Sequence, residues 1–400
     1  MSLNRPLLAL LAAATFCLQP ASAQPATPYP TAPGPSPRAE CPALETGLEA
    51  IARGALDGGV PGLVIGIARA GEPPLVRAYG VADLEQGAAM ESGSVFRIAS
   101  LTKAFTAAAV LRLVADGRLS LDQRAAELLP DRSWLGDITV EQLLNHTAGL
   151  SDYAEDPTGA ASRAVARTPA EMVDWIGRLE PVSRFEPGTS WAYSNSNYAV
   201  LGLILEVVSG RPYAELLRDT VLAPAGLAAT AVDDPADIVI GRVQGYSLLG
   251  SRPRTLRNAD WIHPTIPGPA GSLRATAGDV LAWNEALFGG QIIPLALVER
   301  MTQPGILSDG RTTRWGMPEA WREGLNSDYA MGVFVASSPI GRRVWHTGDI
   351  DGFASWMAHW PDAGFTAVVL TNADFRSIDA DAIEAVVAQE ARCRDQADAG

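Results

Sequence analysis

The stretch FRIASLTKAFTAAAVLRLVADGRLSLD, residues 96–122, decides how this chain is read. From Ser100 to Ala115 it is rich in Ala and Leu, which predicts a strong helix, and Asp116-Gly117 stops it. Ser100 and Lys103 stand three residues apart at its start, so their side chains share a face, one turn apart. The N-terminus of a helix presents unsatisfied N–H groups and the positive end of a dipole, which suits an oxyanion forming on a substrate bound at Ser100. A serine hydroxyl is a weak nucleophile and needs a base within hydrogen-bond reach; a lysine of lowered pKa can supply one. Alone, the pair fits equally a capping serine and a solvated lysine.

Lys103 is the single lysine of the chain; every other basic side chain is Arg. A coding bias that replaces Lys by Arg wherever a cation suffices leaves the retained Lys marked for work that an always-protonated Arg cannot do. The chain has 400 residues, 47% of them hydrophobic and 19% charged, with a formal charge of −14. That supports a sizeable core in two to three domains or one large two-part fold. Acidity argues against nucleic acid or an anionic membrane surface as the main partner.

Strands are predicted on both sides of a helical stretch. Residues 63–68 and 75–81, separated by Gly71-Glu72-Pro73-Pro74, read as a hairpin after a helix over 43–55. Helices follow over 139–145, 169–179, 196–209, 213–221 and 277–287. Strands return over 329–335, 343–346, 354–359 and 366–371, and a last helix covers about 378–392. The expected fold is therefore mixed α/β (α+β): an antiparallel sheet flanked by helices, built from both chain ends, with an inserted mostly helical domain. The boundaries are 41–115 and 288–395 for the sheet domain and 116–287 for the helical one.

Ahead of these, Arg5, the apolar run Leu7–Leu18 and Ala21-Ser22-Ala23 read as a signal peptide over 1–23, cut after Ala23. The expected location is periplasmic or secreted. The run is too short to span a bilayer, so no membrane span is expected. Residues 24–40 form a Pro-rich linker. Export leaves two cysteines, Cys41 and Cys393, near the ends of the folded part, and an even pair in an oxidising compartment suggests one disulfide.

Two further clusters can carry chemistry. Tyr193-Ser194-Asn195 lies just before a helix, and its residues serve as turn and cap, or as a phenol that shuttles protons and an amide that binds substrate. His346-Thr347-Gly348 closes a β segment whose edge can receive a substrate backbone. His146, beside Gly149 at a helix end, reads as structural. No metal cluster is visible: His263 and His359 have no partner at ligand spacing, and C-x-x-C is absent.

Ser-x-x-Lys, Tyr-x-Asn and His-x-Gly, in that order, resemble the serine β-lactamase and penicillin-binding-protein superfamily. The similarity is to its class C β-lactamase, DD-peptidase and family VIII esterase branch. Residues 96–122, ITVEQLLNHTAGL (138–150), EPGTSWAYSNSNYAVLGLILEVVSGRPY (186–213), PAGSLRATAGDV (269–280) and 344–372 look like that branch as well. The resemblance implies the β-lactamase/transpeptidase-like fold, Ser100 as acylated nucleophile, and Lys103 and Tyr193 sharing the proton transfers. It further implies Asn195 as a substrate-amide contact and His346, Thr347 and Gly348 as a strand-edge wall. The backbone N–H groups of Ser100 and Asp349 would form the oxyanion hole, with no cofactor and no metal. Which of Lys103 and Tyr193 is the base stays open.

One departure bears on substrate. The family's Lys-Thr-Gly wall carries a permanent cation that holds a carboxylate, whereas His346 has an ordinary pKa of about 6.5. Carboxylate binding is therefore expected to weaken as pH rises through that value. The expectation is an exported serine hydrolase acting on esters, amides or peptides. Its rivals are a true class C-like β-lactamase or DD-carboxypeptidase, and a non-catalytic cell-wall or peptide-binding protein of the same fold. A small-molecule or peptide substrate is the expected partner.

Overall fold

The main sheet is laid down from both ends of the chain. Across it the strands run Ala88–Ala89, Leu75–Asp83, Gly62–Arg69, Phe365–Thr371, Phe353–Trp360, Gly341–Ile350, Phe334–Ser338 and Asp328–Tyr329. Every neighbouring pair is antiparallel. The closure between early and late chain is Gly62–Arg69 on Phe365–Thr371, with Leu63 opposite Thr371 and Arg69 opposite Phe365. This computed structural model describes residues 43–157, 163–249, 255–374 and 378–398. The expected signal peptide, the Pro-rich linker and Cys41 lie outside them.

Phe353–Trp360 and Phe365–Thr371 are buried at every position, so the sheet is covered on both faces. Side chains alternate across a strand, and Gly62–Arg69 shows it. Leu63, Ile65 and Ile67 pack with Leu48, Ile383 and Val387 of the terminal helices Ala43–Asp57 and Ala380–Asp398. Val64 joins the opposite cluster, which holds Val280, Leu281 and Trp283 of the helix Ala277–Phe288. On that side a Cβ at Gly66 would sit 2.9 Å from Leu281 and from Val368, so glycine lets the helix settle onto the sheet. The expected assignment of this helix to the helical domain is corrected here, because it roofs the sheet. The described residues form one compact unit.

The helix Thr102–Ala115 is buried along nearly its whole length, as its all-round apolar composition requires. Phe105 stacks on Trp283 with ring centroids 3.9 Å apart, which pins this helix to the roof of the sheet. Short helices are started by their own side chains: Thr139 and Gln142 cap Val140–Leu144 reciprocally, and Thr168 and Glu171 do so for Pro169–Ile176. Short strands also occur where only helices and loops were expected, at Ala231–Val232, Tyr246–Leu249, Thr255–Asn258 and Leu273–Ala275.

Two late strands differ from expectation. The segment 329–335 is broken into Asp328–Tyr329 and Phe334–Ser338, because Gly332 takes φ +78° and Ala330 N–H bonds the Val333 carbonyl at 2.9 Å. A Cβ at Gly332 would meet the Lys103 carbonyl oxygen at 2.8 Å, so this reversal rests directly on the helix that follows Ser100. The segment 343–346 extends to Gly341–Ile350. Thr347-Gly348-Asp349 has no local strand signal, and its pairing with Trp356, Ser355 and Ala354 holds it extended.

Replacing Trp283 by Ala removes a fully buried ring and its stack on Phe105. The expected loss is about 3–5 kcal/mol of unfolding free energy, read by urea denaturation against the unaltered protein.

Candidate active site

Ser100 sits in a single tight turn, Ala99–Leu101, immediately before the helix Thr102–Ala115. Ala99 has φ +46°, a left-handed conformation that costs a non-glycine residue of order 1–3 kcal/mol and persists only when its surroundings enforce it. The enforcement is visible. Ser355 Oγ donates to the Ile98 carbonyl at 2.8 Å, and a Cβ on Gly348 would lie 2.4 Å from that same oxygen and 3.1 Å from Ala99 Cβ. Glycine at 348 thus lets the strand and the serine turn touch.

Lys103 is fully buried beneath Ser100. Its Nζ lies 3.0 Å from Ser100 Oγ, 2.8 Å from Asn195 Oδ1 and 2.9 Å from the Ala270 carbonyl oxygen, with the Tyr193 ring 4.7 Å away. Burial drives its pKa down to about 7, opposed by the negative charge of Asp152. Two of the three partners can only accept. A free amine has two hydrogens and one lone pair, so both hydrogens go to Asn195 Oδ1 and Ala270, and the lone pair faces the Ser100 hydroxyl. An amine held in this way is oriented to accept a proton from Ser100.

Tyr193 is hydrogen-bonded to Ser100, and desolvation raises its phenol well above the ordinary value. It stays protonated near neutrality and can donate. Its loop is held by His146, which takes φ +63°. His146 Nδ1 accepts from the Ser194 N–H at 3.3 Å and from Asn197 Nδ2 at 2.8 Å, and the ring lies 4.5 Å from the Tyr193 ring. The structural role expected for His146 is retained, with a different mechanism: it is buried behind the tyrosine instead of capping carbonyls at a helix end.

Asn195 joins Lys103 to a residue that sequence reasoning missed. Its Nδ2 donates to Asp152 Oδ2 at 2.9 Å, and Asp152 Oδ1 accepts from the Ala154 N–H at 3.0 Å. Burial raises the Asp152 pKa, while the Ala154 and Asn195 hydrogen bonds and the Lys103 charge pull it down. Nothing in the local sequence at 150–156 signals this carboxylate, since its partner is 43 residues away.

His346 corrects the expected pH dependence. The ring is buried, with Nδ1 on the Thr347 carbonyl and Nε2 3.2 Å from the Tyr329 hydroxyl. A carbonyl only accepts, so Nδ1 carries the proton and Nε2 accepts from Tyr329. Burial and the Lys103 charge lower its pKa to about 3. It is neutral throughout the working range and supplies no cation whose loss near pH 6.5 could weaken carboxylate binding.

Pairing between Gly341–Ile350 and Phe334–Ser338 ends at Trp345 opposite Phe334. Beyond it, residues 346–350 have a strand neighbour on one side only, among the described residues. This open edge, with Ser100, Tyr193, Asn195, His346, Thr347, Gly348 and Asp349, lines one cavity of about 960 Å³. Tyr153, Trp175, Ile266, Trp321, Phe334 and Trp345 line it as well. The candidate residues for nucleophile, base, donor, amide contact and wall are therefore brought together, Lys103 as the floor. Among the described residues no helix is long and apolar enough to cross a membrane.

A match to the family described as Beta-lactamase covers residues 44–391. Penicillin-binding protein 4* of Bacillus subtilis (strain 168) is 27% identical over 307 residues, 74% of this chain and 64% of that protein. A D-aminopeptidase of Cereibacter sphaeroides (strain ATCC 17023) is 29% identical over 318 residues, 78% of this chain and 57% of that protein. The chain thus spans about three fifths of the length of these relatives. Among solved structures, a D-stereospecific amidohydrolase from Streptomyces sp. superposes with TM-score 0.72 at 28% identity, covering 86% of this chain and 98% of that one. The D-amino acid amidase of Ochrobactrum anthropi SV3, in complex with L-phenylalanine amide, shares the fold with TM-score 0.73 at 24% identity, over 88% of this chain and 99% of that one.

Because Lys103 is the only lysine, labelling with ¹⁵N-lysine gives a single side-chain nitrogen resonance. Its titration midpoint is expected near 7, set by burial; a midpoint near 10.4, the ordinary lysine value, would show that the amine is not desolvated.

Proposed function

Because the chain belongs to the Beta-lactamase family, we propose that it is a serine hydrolase that cleaves amides and esters of small D-amino acids through an acyl-enzyme on Ser100. The observation that carries this reading is the neutral His346 beside the nucleophile: the strand edge offers no permanent cation to hold the carboxylate of a β-lactam or of a peptide C-terminus. Similarity to D-aminopeptidases and to a D-stereospecific amidohydrolase supports the amide bond and the configuration. The aromatic residues that line the cavity, Tyr153, Trp175, Trp321, Phe334 and Trp345, suit an apolar side chain.

In this proposal Lys103, as the free amine, takes the Ser100 proton while the hydroxyl oxygen attacks the scissile carbonyl carbon. The backbone N–H groups of Ser100 and Asp349 receive the developing oxyanion. Tyr193 donates its proton to the leaving nitrogen or oxygen and recovers one by way of Lys103. Water then hydrolyses the ester on Ser100 by the same groups acting in reverse. Asn195 has a second amide hydrogen for the substrate carbonyl, since the first is held by Asp152.

A panel of D- and L-phenylalanine amide, p-nitrophenyl esters, nitrocefin and a D-Ala-D-Ala peptide tests the reading. Amides and esters are expected to turn over, with D preferred to L by at least about ten-fold, roughly 1.4 kcal/mol of discrimination. Ser100→Ala and Lys103→Arg are each expected to lower kcat by about 10²-fold or more, and the KM of carboxylate-bearing and neutral substrates to run in parallel from pH 5 to 8. Nitrocefin or the D-Ala-D-Ala peptide as best substrate would favour the β-lactamase or carboxypeptidase alternative. No turnover and no covalent labelling by a fluorophosphonate would favour a binding protein.

We further propose export by the segment 1–23 and a Cys41–Cys393 bridge. Intact mass of the periplasmic protein is expected to show cleavage after Ala23 and no alkylation before reduction. Two thiols alkylated without reduction would refute the bridge.

A further inference from the structure

The buried carboxylate of Asp152 takes no part in the steps above, and it touches neither Ser100 nor the cavity surface. It sits at the end of a line of four side chains joined by three hydrogen bonds: Asp152 Oδ2 to Asn195 Nδ2 at 2.9 Å, Asn195 Oδ1 to Lys103 Nζ at 2.8 Å, Lys103 Nζ to Ser100 Oγ at 3.0 Å. An amide presents an acceptor on one side and donors on the other, and can be turned over to exchange them. A carboxylate can only accept, so it admits the NH₂ end of Asn195 and forces Oδ1 toward the lysine. We propose that Asp152 is a positioning residue: through the Asn195 amide it fixes the direction in which the Lys103 amine turns, so that the lone pair meets Ser100.

Without that constraint the amide can reverse. Asn195 Nδ2 then faces Lys103, one amine hydrogen loses its acceptor, and the lone pair is drawn to Asn195 in place of Ser100. The same carboxylate acts by charge. Around Lys103 stand Ser100, the rings of Tyr193 and Tyr198, and the neutral imidazoles of His146 and His346; around Asp152, besides Lys103, stands Glu155. Asp152 is the negative group that stabilises the ammonium form. Removing its charge should let Lys103 lose its proton at lower pH.

The inference rests on Lys103 being the base, and the test separates the two. In the unaltered enzyme the rising limb of kcat/KM against pH is expected near 7, and Lys103→Arg is expected to abolish it; if either fails, the reading of Lys103 fails first. Given both, Asp152→Asn is expected to lower kcat about ten- to a hundred-fold with KM within about two-fold, and to move the limb down by about one pH unit. Asp152→Ser keeps an acceptor and loses the charge, so the limb moves with a smaller fall in kcat; it serves as well if the amide variant does not fold. In an Asn195→Ala background, Asp152→Asn should lower kcat no further. A limb that stays in place, together with additive losses in the double variant, would overturn the proposal and leave Asp152 a packing residue.

Discussion

The constraint on which the site depends is the burial of one amine. Lys103 is fully buried, and its three hydrogen-bond partners are an amide oxygen, a main-chain carbonyl and the serine hydroxyl. Burying an ammonium group costs several kcal/mol unless it is paired. Here the nearest opposite charge, Asp152, is held off by the width of an amide, so the protonated and free forms come close to balance. That balance is a property of packing: the helix 102–115 must be buried, the Ala270 carbonyl must reach inward, and the strand reversal at Gly332 must press against the Lys103 backbone. Change the packing and the same sequence motif is a capping serine with a solvated lysine.

A second consequence follows from the sheet. Gly341–Ile350 outruns its neighbour Phe334–Ser338 by five residues, and the open edge so produced borders the serine turn. Gly348 permits the approach and Ser355 fastens it. The left-handed Ala99 is the strained point of this arrangement, with Ser100 next to it. The strain is local, and the turn is held against strands 341–350 and 353–360 by the Gly348 approach and the Ser355 hydrogen bond.

The electrostatic character of the site is nearly neutral in an acidic protein. His346, Tyr193 and His146 are all driven to their uncharged forms by burial. Behind Ser100 the ionisable groups that stay close to charge balance are Lys103 and Asp152, whose side chains are bridged by Asn195. A proton can be passed between Ser100, Lys103 and Tyr193 without creating a lone buried charge, which is the condition for acyl transfer at moderate pH.

The sequence by itself determined the ingredients and their order. Apolar runs with β-rich composition located most strands of the main sheet; the Ala-rich run after Ser100 located the buried helix; Ser100, Lys103, Tyr193, Asn195 and His346 were identifiable because three spaced motifs occur in sequence. What it could not determine depends on residues far apart along the chain. The strand 341–350 is extended at Thr347-Gly348-Asp349 only because the residues 353–360 pair with it. His346 loses its charge because burial and the Lys103 charge disfavour the imidazolium, so its ordinary pKa misled. Asp152 is invisible in the sequence because its meaning comes from Asn195, 43 residues on, and from Lys103, 49 residues back. Local pattern follows from backbone geometry and side-chain periodicity, which the sequence carries. Desolvation and hydrogen-bond direction follow from which surfaces meet, and only the tertiary structure decides that.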